Sequence, residues 1–396
     1  MTLKVFETFR VIIFKNGVFW QFLLWFWQLE NAIVGIGKET AMNKHTLFVN
    51  VQDYYEDLVA QLATAQNSIS MTYLSFDSGV WAERISQVLI TKAGAGVQVR
   101  LMVDEFGQLL DEPRHVLENH ALLNHLHSHG VQVDVFRPAA PLGINNRLHC
   151  KFAAIDDCTV LIGGSNIGDY YTTWTDTNLR VNGSLGNTFH RVYDFVFGHS
   201  QNGEANCHLD TNDLWVGDDR LWLTVPRQRF DIRDALMELI LDADKSIFIR
   251  TWYFLPDEEM LEALCTQARR GVQVNVLLSH KTRVRLVDLA NHIHVHKLVN
   301  ADGNVYRFTG RYMHSKTAWN DHGDVLLGSA NLDAHSMRHN FESILKINDS
   351  KLARELQHSF NADLATSFRQ KPESYLARSL AGKALSHTCS LVSPWL

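Results

Sequence analysis

Hydrophobic and polar residues follow the same order in two blocks of the chain. In the first block, LFVNVQDYYEDLVAQLATAQNSISMTYLSF (47–76) predicts a strand, a helix that is apolar at Leu58, Leu62 and Ala65, and a buried strand. WAERISQVLITKAGAGVQVRLMVDEFG (81–107) then predicts a helix, a glycine stop and another strand. The order returns in DIRDALMELILDADKSIFIRTWYFLPDEEMLEALCTQARRGVQVNVLLSHK (231–281). The pattern therefore predicts an α/β fold that arose by internal duplication.

The regions outside the two blocks set the expected domain organisation. Residues 1–42 are rich in Phe and Trp, but polar residues such as Lys15 and Glu30 interrupt the apolar run. We expect this segment to lie in a membrane interface; the alternative is an apolar helix packed on the protein's own core. A stretch without apolar period, from about His199 to Asp213, predicts a linker. The expected domains are 43–205 and 206–396, and the second ends in an amphipathic, basic tail.

Each block is followed by a copy of one motif. Residues 147–166 read RLHCKFAAIDDCTVLIGGSN, and residues 312–331 read YMHSKTAWNDHGDVLLGSAN. Both have the form His-x-Lys-x-x-x-x-Asp, followed by a tail with Gly, Ser and Asn. Their polar residues are His149, Lys151, Asp156, Ser165 and Asn166 in the first copy, and His314, Lys316, Asp321, Ser329 and Asn331 in the second.

The motif predicts a β-hairpin that displays its histidine and lysine together. Side chains two positions apart on a strand share a face, at roughly 6.6 Å from each other. Turn-forming residues follow at Asp156–Asp157 and at 320–323, and each turn precedes an apolar run. The second strand of each hairpin would bring its Ser and Asn near the His/Lys pair.

Composition narrows the class of protein. With 396 residues, of which 46% are hydrophobic and 20% charged, the chain can form two domains with full-sized cores. A net charge of −6 gives no general attraction to polyanions, so we expect no nucleic-acid partner. The five cysteines are scattered without Cys-x-x-Cys spacing, which is typical of free thiols on the cytoplasmic side of a membrane.

The duplicated motif resembles the signature of the phospholipase D superfamily. The resemblance implies two similar α/β domains, each a mixed sheet flanked by helices. They would be related by a pseudo-two-fold axis and share one active site at their interface. It also implies the catalytic set His149, Lys151, Asp156, His314, Lys316 and Asp321.

This residue set suits the chemistry of phosphodiesters. One imidazole attacks phosphorus while the other protonates the leaving oxygen, so the two need opposite protonation states. The two lysines neutralise the phosphate, and the tail residues Ser165, Asn166, Ser329 and Asn331 bind it, so we expect no cofactor and no metal. Asp156 and Asp321 are expected to hold loops and lysines rather than to transfer protons. The order in better-known superfamily members suggests that His149 attacks and His314 protonates.

Two acidic residues are candidates to orient the histidines. Asp176 follows His149 by 27 positions, and Glu342 follows His314 by 28, as acidic residues do in this superfamily. The alternative is a surface or strand-edge carboxylate for each.

Two histidine runs are weaker candidates for a metal site. NHIHVHK (291–297) and HLHSHG (125–130) alternate histidine with other residues, so each run could share one strand face. Metal binding needs convergent geometry that a sequence does not show.

Two further segments are similar to bacterial cardiolipin synthases: GGSNIGDYYTTWTDTNLRVNG (163–183) and GSANLDAHSMRHNFE (328–342). Trp319 and Asn320 depart from the family, where aliphatic residues are usual. The resemblance implies a phosphatidyltransferase that condenses phosphatidylglycerol with a second phospholipid through a phosphatidyl-histidine. It also implies a location on the cytoplasmic side of the bacterial inner membrane, peripheral or anchored by the N-terminus. The alternatives are a phospholipase D that hydrolyses or exchanges headgroups and a phospholipase D-type nuclease.

Overall fold

The computed structural model describes residues 43–138, 143, 146–202, 209–210, 214–216 and 219–391. Asn43–Leu396 form one compact unit. The predicted interfacial segment 1–42 and the predicted boundary between residues 205 and 206 lie outside the described residues.

The first half is a mixed sheet with helices on both faces. Its strands are β1 (Lys44–Asn50), β2 (Ser68–Tyr73), β3 (Gln98–Asp104), β4 (Gln132–Phe136), β5 (Phe152–Ile155), β6 (Thr159–Gly163) and β7 (Thr175–Asn182). Its helices are α1 (Val51–Thr64), α2 (Val80–Gly94), α3 (Glu105–Leu110), α4 (Val116–Ser128) and α5 (Gly186–Asn202). The strand order across the sheet is β1-β7-β6-β5-β2-β3-β4.

The second half repeats this arrangement with additions at the edges. Its strands are β8 (Trp215–Val216), β9 (Asp219–Val225), β10 (Arg229–Phe230), β11 (Ser246–Thr251), β12 (Gln273–Ser279), β13 (Asn304–Phe308), β14 (Thr317–Asn320), β15 (Asp324–Gly328), β16 (Glu342–Asn348) and β17 (Ser367–Arg369). Its helices are α6 (Asp231–Asp242), α7 (Glu258–Arg269), α8 (Arg285–Asn300), α9 (Ser350–Leu364), α10 (Glu373–Leu376) and α11 (Leu380–Leu391). The strand order is β10-β9-β16-β15-β14-β11-β12-β13-β17, with β8 beside β9.

Strand register shows that the halves are duplicates. Ser68 of β2 pairs in parallel with Gln98 of β3, and Ser246 of β11 pairs in the same way with Gln273 of β12. Both β2 and β11 also pair with the first strand of a motif hairpin, in antiparallel fashion. The β9-β16-β15-β14-β11-β12-β13 order thus reproduces the order of the first sheet, as the duplicated sequence pattern predicts.

Local sequence accounts for the helix boundaries. The side chain of Asn50 accepts hydrogen bonds from the backbone N–H groups at the start of α1, and Asp257 caps α7 through the amide of Met260. Gly96 and Gly271 follow α2 and α7 with φ of 88° and 92°, a conformation that favours glycine.

Most of the core described by the structure forms three hydrophobic layers. The central layer lies between the two sheets and includes Phe152 and Phe189, whose rings are 4.8 Å apart. The outer layers lie under α1, α2 and α4 in the first half and under α6, α7 and α8 in the second. Trp319, which departs from the family pattern, belongs to the central layer and stacks on Phe248 at 5.3 Å. Its indole therefore fills core volume between the sheets.

The halves also exchange short strand pairings around the pseudo-two-fold axis. Leu148 forms a parallel bridge with Phe341, and Met313 forms the matching bridge with Thr175. Each bridge lies next to a motif histidine. The motif histidine of each half is therefore fixed by the backbone of the other half.

The histidine runs lie in helices, not on the strand faces considered from the sequence. His125 and His127 belong to α4, and His292, His294 and His296 belong to α8. Residues two apart on a helix point in different directions, so the three histidines of a run do not share one face. His125 and His129, four apart, do meet, with their rings 4.3 Å apart, but among the described residues neither run belongs to a group of three His, Cys, Asp or Glu side chains placed to hold a metal. His292 instead contacts the Arg378 guanidinium at 2.7 Å, and His296 stacks on Tyr375 at 4.4 Å.

The predicted linker begins too early. Helix α5 continues through His199, which is buried and packs against Phe195 and Phe341. The Nδ1 of His199 lies 3.0 Å from the carbonyl of Phe195, one turn earlier in the same helix. Because the helix ends at Asn202, it extends past the predicted start of the linker.

The C-terminal tail forms α11, which packs on α8. Cys389 is buried there with Val287 and Ala290, while Leu380 is 85% exposed. Across the described residues, none of the helices is long and apolar enough to cross a membrane.

Candidate active site at the interface of the two halves

The two motif histidines are oriented by carboxylates from opposite halves. The Nδ1 of His149 lies 2.8 Å from Oε1 of Glu342, and the Nδ1 of His314 lies 2.7 Å from Oδ2 of Asp176. Backbone bonds run in the same crossed sense: His149 N–H donates to the Phe341 carbonyl at 2.9 Å, and His314 N–H donates to the Thr175 carbonyl at 2.7 Å. The structure thus brings together both acidic candidates and both histidines, each pair formed across the interface.

This pairing fixes the chemical form of each imidazole. A carboxylate that accepts from Nδ1–H leaves the lone pair on Nε2 for chemistry. Burial lowers the pKa of His149 to about 4 and that of His314 to about 3, in spite of the neighbouring carboxylates. Both rings are therefore neutral near pH 7, as a nucleophile must be.

Glu342 has further support. Burial alone would raise the pKa of Glu342, but His149 and Lys151 beside it hold that pKa below its usual value. The hydroxyl of Ser329 also donates to Oε2, and Asn340 Nδ2 donates to Oε1 at 3.3 Å. The carboxylate is therefore ionised and held in one orientation.

The two lysines bring positive charge to the site. Both are buried, and each ammonium group donates to the carbonyl of its own motif histidine: Lys151 to His149 at 2.9 Å, and Lys316 to His314. Burial lowers the pKa of Lys151 to about 8 and that of Lys316 to about 7, and the charge of Lys151 further lowers the latter. An anion bound between them would restore the charged form of both side chains.

The Ser and Asn residues of the tails differ in position. Ser165 Oγ accepts from Asn178 Nδ2 at 2.9 Å, and Ser329 donates its hydroxyl hydrogen to Glu342. These hydroxyls support other side chains. Asn331 Oδ1 is buried with no hydrogen-bond partner among the described residues, and Asn166 Nδ2 donates to Tyr171. Phosphate binding by the four residues stays a prediction.

Asp156 and Asp321, expected in the catalytic set, lie at the other end of their hairpins. Asp156 follows β5 and accepts hydrogen bonds from the amides of Gln66, Asn67 and Ser68 at 2.7–2.9 Å. Asp321 accepts in the same way from residues 244–246 at 3.0–3.2 Å. A strand advances about 3.3 Å per residue, so the seven positions from His149 to Asp156 span roughly 20 Å. The two carboxylates thus hold turns and not the lysines, whose ammonium groups donate to the carbonyls of the motif histidines, and the structure does not bring the carboxylates to the histidines.

We therefore expect Asp156→Ala and Asp321→Ala to weaken the fold and spare the chemistry. Loss of an acceptor for three backbone N–H groups should lower the free energy of unfolding by about 1–3 kcal/mol. Burial would raise the pKa of Asp156, but its amide partners hold it below the usual value, so this stabilisation is present at neutral pH and lost as pH falls through that lowered pKa. Urea unfolding at pH 7 and at low pH measures it. Turnover reduced a hundredfold or more with unchanged unfolding would instead mean a catalytic role.

Aromatic side chains that sequence reasoning missed form one wall of the site. The indoles of Trp174 and Trp252 stack at 5.3 Å with an interplanar angle of 8°. They contact the imidazole of His314 edge-on at 5.1 Å and 5.0 Å. Trp174 precedes Asp176 by two residues, and residues two apart on an extended chain share a face. The sequence could therefore have placed Trp174 beside the histidine that Asp176 orients.

A polar network that was also missed joins the halves at this site. Tyr171 accepts from Asn166 at 3.0 Å and donates to Asp111, whose carboxylate also accepts from Tyr170 at 2.8 Å. Arg283 of the second half donates to the same carboxylate at 3.0 Å. Asp111 precedes a proline-containing turn with no recognisable motif, so no sequence pattern distinguishes it.

Comparison with known proteins identifies the family. Residues 58–185 and 236–364 match the family described as "Cardiolipin synthase, PLD-like domain". The chain belongs to this family. The two matches cover the duplicated halves, and each contains one motif copy and its acidic residue.

Curated relatives agree with this assignment. The chain is 28% identical to the major cardiolipin synthase ClsA of Bacillus subtilis (strain 168), over 90% of this chain and 78% of the relative. It is 27% identical to a cardiolipin synthase of Clostridium perfringens (strain 13), over 90% and 77%. The predicted family is confirmed, and with it the enzyme class, a phosphatidyltransferase of the phospholipase D type.

Solved structures confirm the fold. The phosphatidylserine synthase of Haemophilus influenzae Rd KW20 aligns with a TM-score of 0.71 at 14% identity, covering 89% of this chain and 95% of that protein. A polyphosphate kinase of Porphyromonas gingivalis aligns with a TM-score of 0.59 at 14% identity, covering 89% and 54%. At this identity the likeness concerns architecture alone.

Proposed function

We propose that this enzyme condenses phosphatidylglycerol with a second phospholipid, which is a cardiolipin synthase activity, through a phosphatidyl-histidine. The observation that carries the proposal is the pair of neutral imidazoles, each held through Nδ1 by a carboxylate of the opposite half, beside two buried lysines. The similarity to curated cardiolipin synthases supports the choice of lipid substrates.

The first step transfers the phosphatidyl group to the enzyme. His149 Nε2 attacks phosphorus, the bond from phosphorus to the glycerol oxygen breaks, and protonated His314 gives its proton to that oxygen. The lowered pKa of His314 makes it neutral near pH 7 before substrate binds, so it must take up a proton as the anionic phosphodiester enters. Asp176 beside it stabilises the imidazolium. Lys151 and Lys316 stabilise the charge on the non-bridging oxygens.

The second step transfers the group to an acceptor. His314, now neutral, takes the proton of the acceptor hydroxyl, whose oxygen forms the new bond to phosphorus. The bond between phosphorus and His149 breaks, and the free imidazole is restored. Water in place of the lipid alcohol would give hydrolysis, the phospholipase D alternative.

The site must approach a bilayer, because a diacyl lipid leaves the membrane slowly. We place the enzyme on the cytoplasmic face of the bacterial inner membrane, with the aromatic segment 1–42 as its contact. Exposed leucines of the C-terminal region, Leu376, Leu380 and Leu385, are further candidates for this contact.

The decisive experiment expresses the protein in a bacterium that lacks cardiolipin and measures lipids by mass spectrometry. The purified enzyme is assayed in parallel on phosphatidylglycerol vesicles. Cardiolipin with release of glycerol supports the proposal, while phosphatidic acid as the sole product favours hydrolysis. A His149→Ala, His314→Ala double variant is the control for host activities.

The lowered pKa values predict the pH dependence of activity. Chemistry needs a neutral His149, a proton that His314 gains as substrate binds, and cationic lysines. Because kcat/KM reports the free enzyme, in which the pKa of His314 is about 3, kcat/KM should increase as pH falls from 7 toward about 4, where His149 becomes protonated. It should fall more steeply as pH rises through about 7–8, the pKa values of Lys316 and Lys151. Lys316→Arg should move the alkaline limb upward by about one pH unit, to the pKa of Lys151 near 8, because guanidinium stays charged. Assays with a short-chain soluble lipid avoid vesicle effects. An alkaline limb that does not move in the variant would exclude Lys316 as the titrating group.

A further inference from the structure

A second pocket shares a wall with the active site. It lies at the carboxyl ends of the parallel strands β12 and β13 and encloses about 520 Å³. Residues 279–281 and 308–312 line it, together with Trp174 from the first half. The indole of Trp174 is 5.1 Å from the imidazole of His314. A ligand in this pocket would therefore lie beside the histidine that handles the acceptor proton.

Cationic side chains lie in and behind this pocket. Lys281 and Arg311 line it, together with His280, whose pKa is lowered by burial and by the nearby Arg307 and Lys281. Arg307 lies behind the pocket wall, where Nη1 donates to the carbonyl of Ser279 at 3.5 Å. These charges attract an anion.

Arg307 is the unusual member of this group. Its side chain is buried, and Nη2 has no hydrogen-bond partner within the part of the chain that the structure describes. Burial lowers the pKa of Arg307 to about 10, so the guanidinium is charged near pH 7. The acidic residue that opposes this shift, Asp288, already accepts from the Thr282 amide with both oxygens, at 3.0 Å and 3.1 Å. A buried cation in this state favours a nearby anion.

The first half has an acidic residue, Asp104, where the second half has Ser279 in the wall of the pocket. The duplication aligns Ser279, the last residue of β12, with Asp104, the last residue of β3. Both side chains accept from the residue before a motif histidine: Ser279 from Met313 N–H at 3.2 Å, and Asp104 from Leu148 N–H at 2.9 Å. The carboxylate of Asp104, whose Oδ1 lies 3.5 Å from Nη1 of Arg147, thus occupies in the first half the place that the neutral hydroxyl of Ser279 occupies in the second. In the second half, therefore, no carboxylate at position 279 offsets the positive charges of Lys281, Arg307 and Arg311.

We propose that this pocket binds the phosphodiester of the acceptor phospholipid and so directs its hydroxyl to His314. The inference rests on the proposed function, because a condensation of two phospholipids needs a phosphate site for each. The donor phosphate occupies the site of the histidines and lysines. The acceptor phosphate, held beyond Trp174, places its hydroxyl where it loses its proton to His314 and attacks phosphorus. Water carries no phosphate and gains nothing from the pocket, so the pocket favours transfer over hydrolysis.

The test replaces the two exposed cations in a Lys281→Gln, Arg311→Gln double variant. On phosphatidylglycerol vesicles we expect cardiolipin formation to fall about tenfold or more, with a raised KM for the acceptor. Transfer to butanol, an acceptor without phosphate, should stay within about threefold of wild type. An Arg354→Gln, Lys371→Gln double variant removes equal charge from exposed positions of the same half and should leave both reactions unchanged.

The other outcomes overturn the proposal. Equal losses for cardiolipin and phosphatidylbutanol would place Lys281 and Arg311 in the common chemistry or in membrane binding, and no loss in either would leave the pocket without a role. If inorganic phosphate quenches tryptophan fluorescence in the wild type and not in a Trp174→Phe variant, while the KM for the lipid acceptor is unaffected by phosphate, the pocket takes free phosphate instead. A wild-type enzyme that forms neither lipid product would refute the proposed function itself.

Discussion

Replacing either motif histidine by alanine is expected to lower cardiolipin formation by at least about four orders of magnitude, because both act in one catalytic unit. Each imidazole is held by a carboxylate of the opposite half, so neither half can supply a complete site. Quantitative mass spectrometry of the lipid product measures the loss. His120→Ala, at an exposed position of α4, is the control. A histidine variant that retains a tenth of wild-type turnover would contradict the shared site.

The two histidines should differ when the donor carries a good leaving group. A p-nitrophenyl phosphatidyl ester releases p-nitrophenolate without a proton, so His314→Ala should still form the covalent adduct within about tenfold of the wild-type rate. His149→Ala should form none. A denaturing quench at alkaline pH, at which the bond between phosphorus and histidine nitrogen is stable, followed by peptide mass spectrometry, locates the adduct. An adduct on His314 would reverse the roles.

The architecture was predictable because its signals are local and repeated. The segments that begin at Ser68 and Ser246 carry the same apolar pattern, and the structure gives them the same register, against Gln98 and Gln273. The motif hairpins follow from turn residues between apolar runs, as at Asp156. Because the chain is duplicated, each such pattern occurs twice, and a pattern found in both copies is stronger evidence for the structure it predicts.

The crossed pairing of the site was not predictable from spacing. His149 and Glu342 are 193 positions apart, and their contact depends on how the two sheets pack, which no local pattern encodes. Spacing within each copy associated His149 with Asp176 instead. The prediction that the histidines of residues 291–297 share a strand face was wrong for another reason. Their alternation suggested a strand, but the apolar residues around them repeat with the period of a helix, and that face packs toward the core: Ala290, Val295, Leu298 and Val299.

The crossed pairing makes a prediction opposite to the one that sequence spacing suggests. Glu342→Gln should impair the step in which His149 attacks, although Glu342 follows the motif copy of His314. Loss of the orienting carboxylate should lower the rate of that step by about two to four orders of magnitude, because the amide cannot stabilise an imidazolium or enforce the required tautomer. Asp176→Asn should act in the same way on the steps of His314.

The activated donor separates the two effects, because it reports the attack of His149 without the proton from His314. With this donor Glu342→Gln should slow adduct formation about a hundredfold or more, while Asp176→Asn should stay within about tenfold of wild type. In double variants, Glu342→Gln should add little to His149→Ala and its full effect to His314→Ala, since residues that act as a unit are not additive. Thermal unfolding of each variant controls for damage to the buried site. If Asp176→Asn instead slowed adduct formation while Glu342→Gln did not, each carboxylate would serve the histidine of its own half, and the crossed site would be wrong.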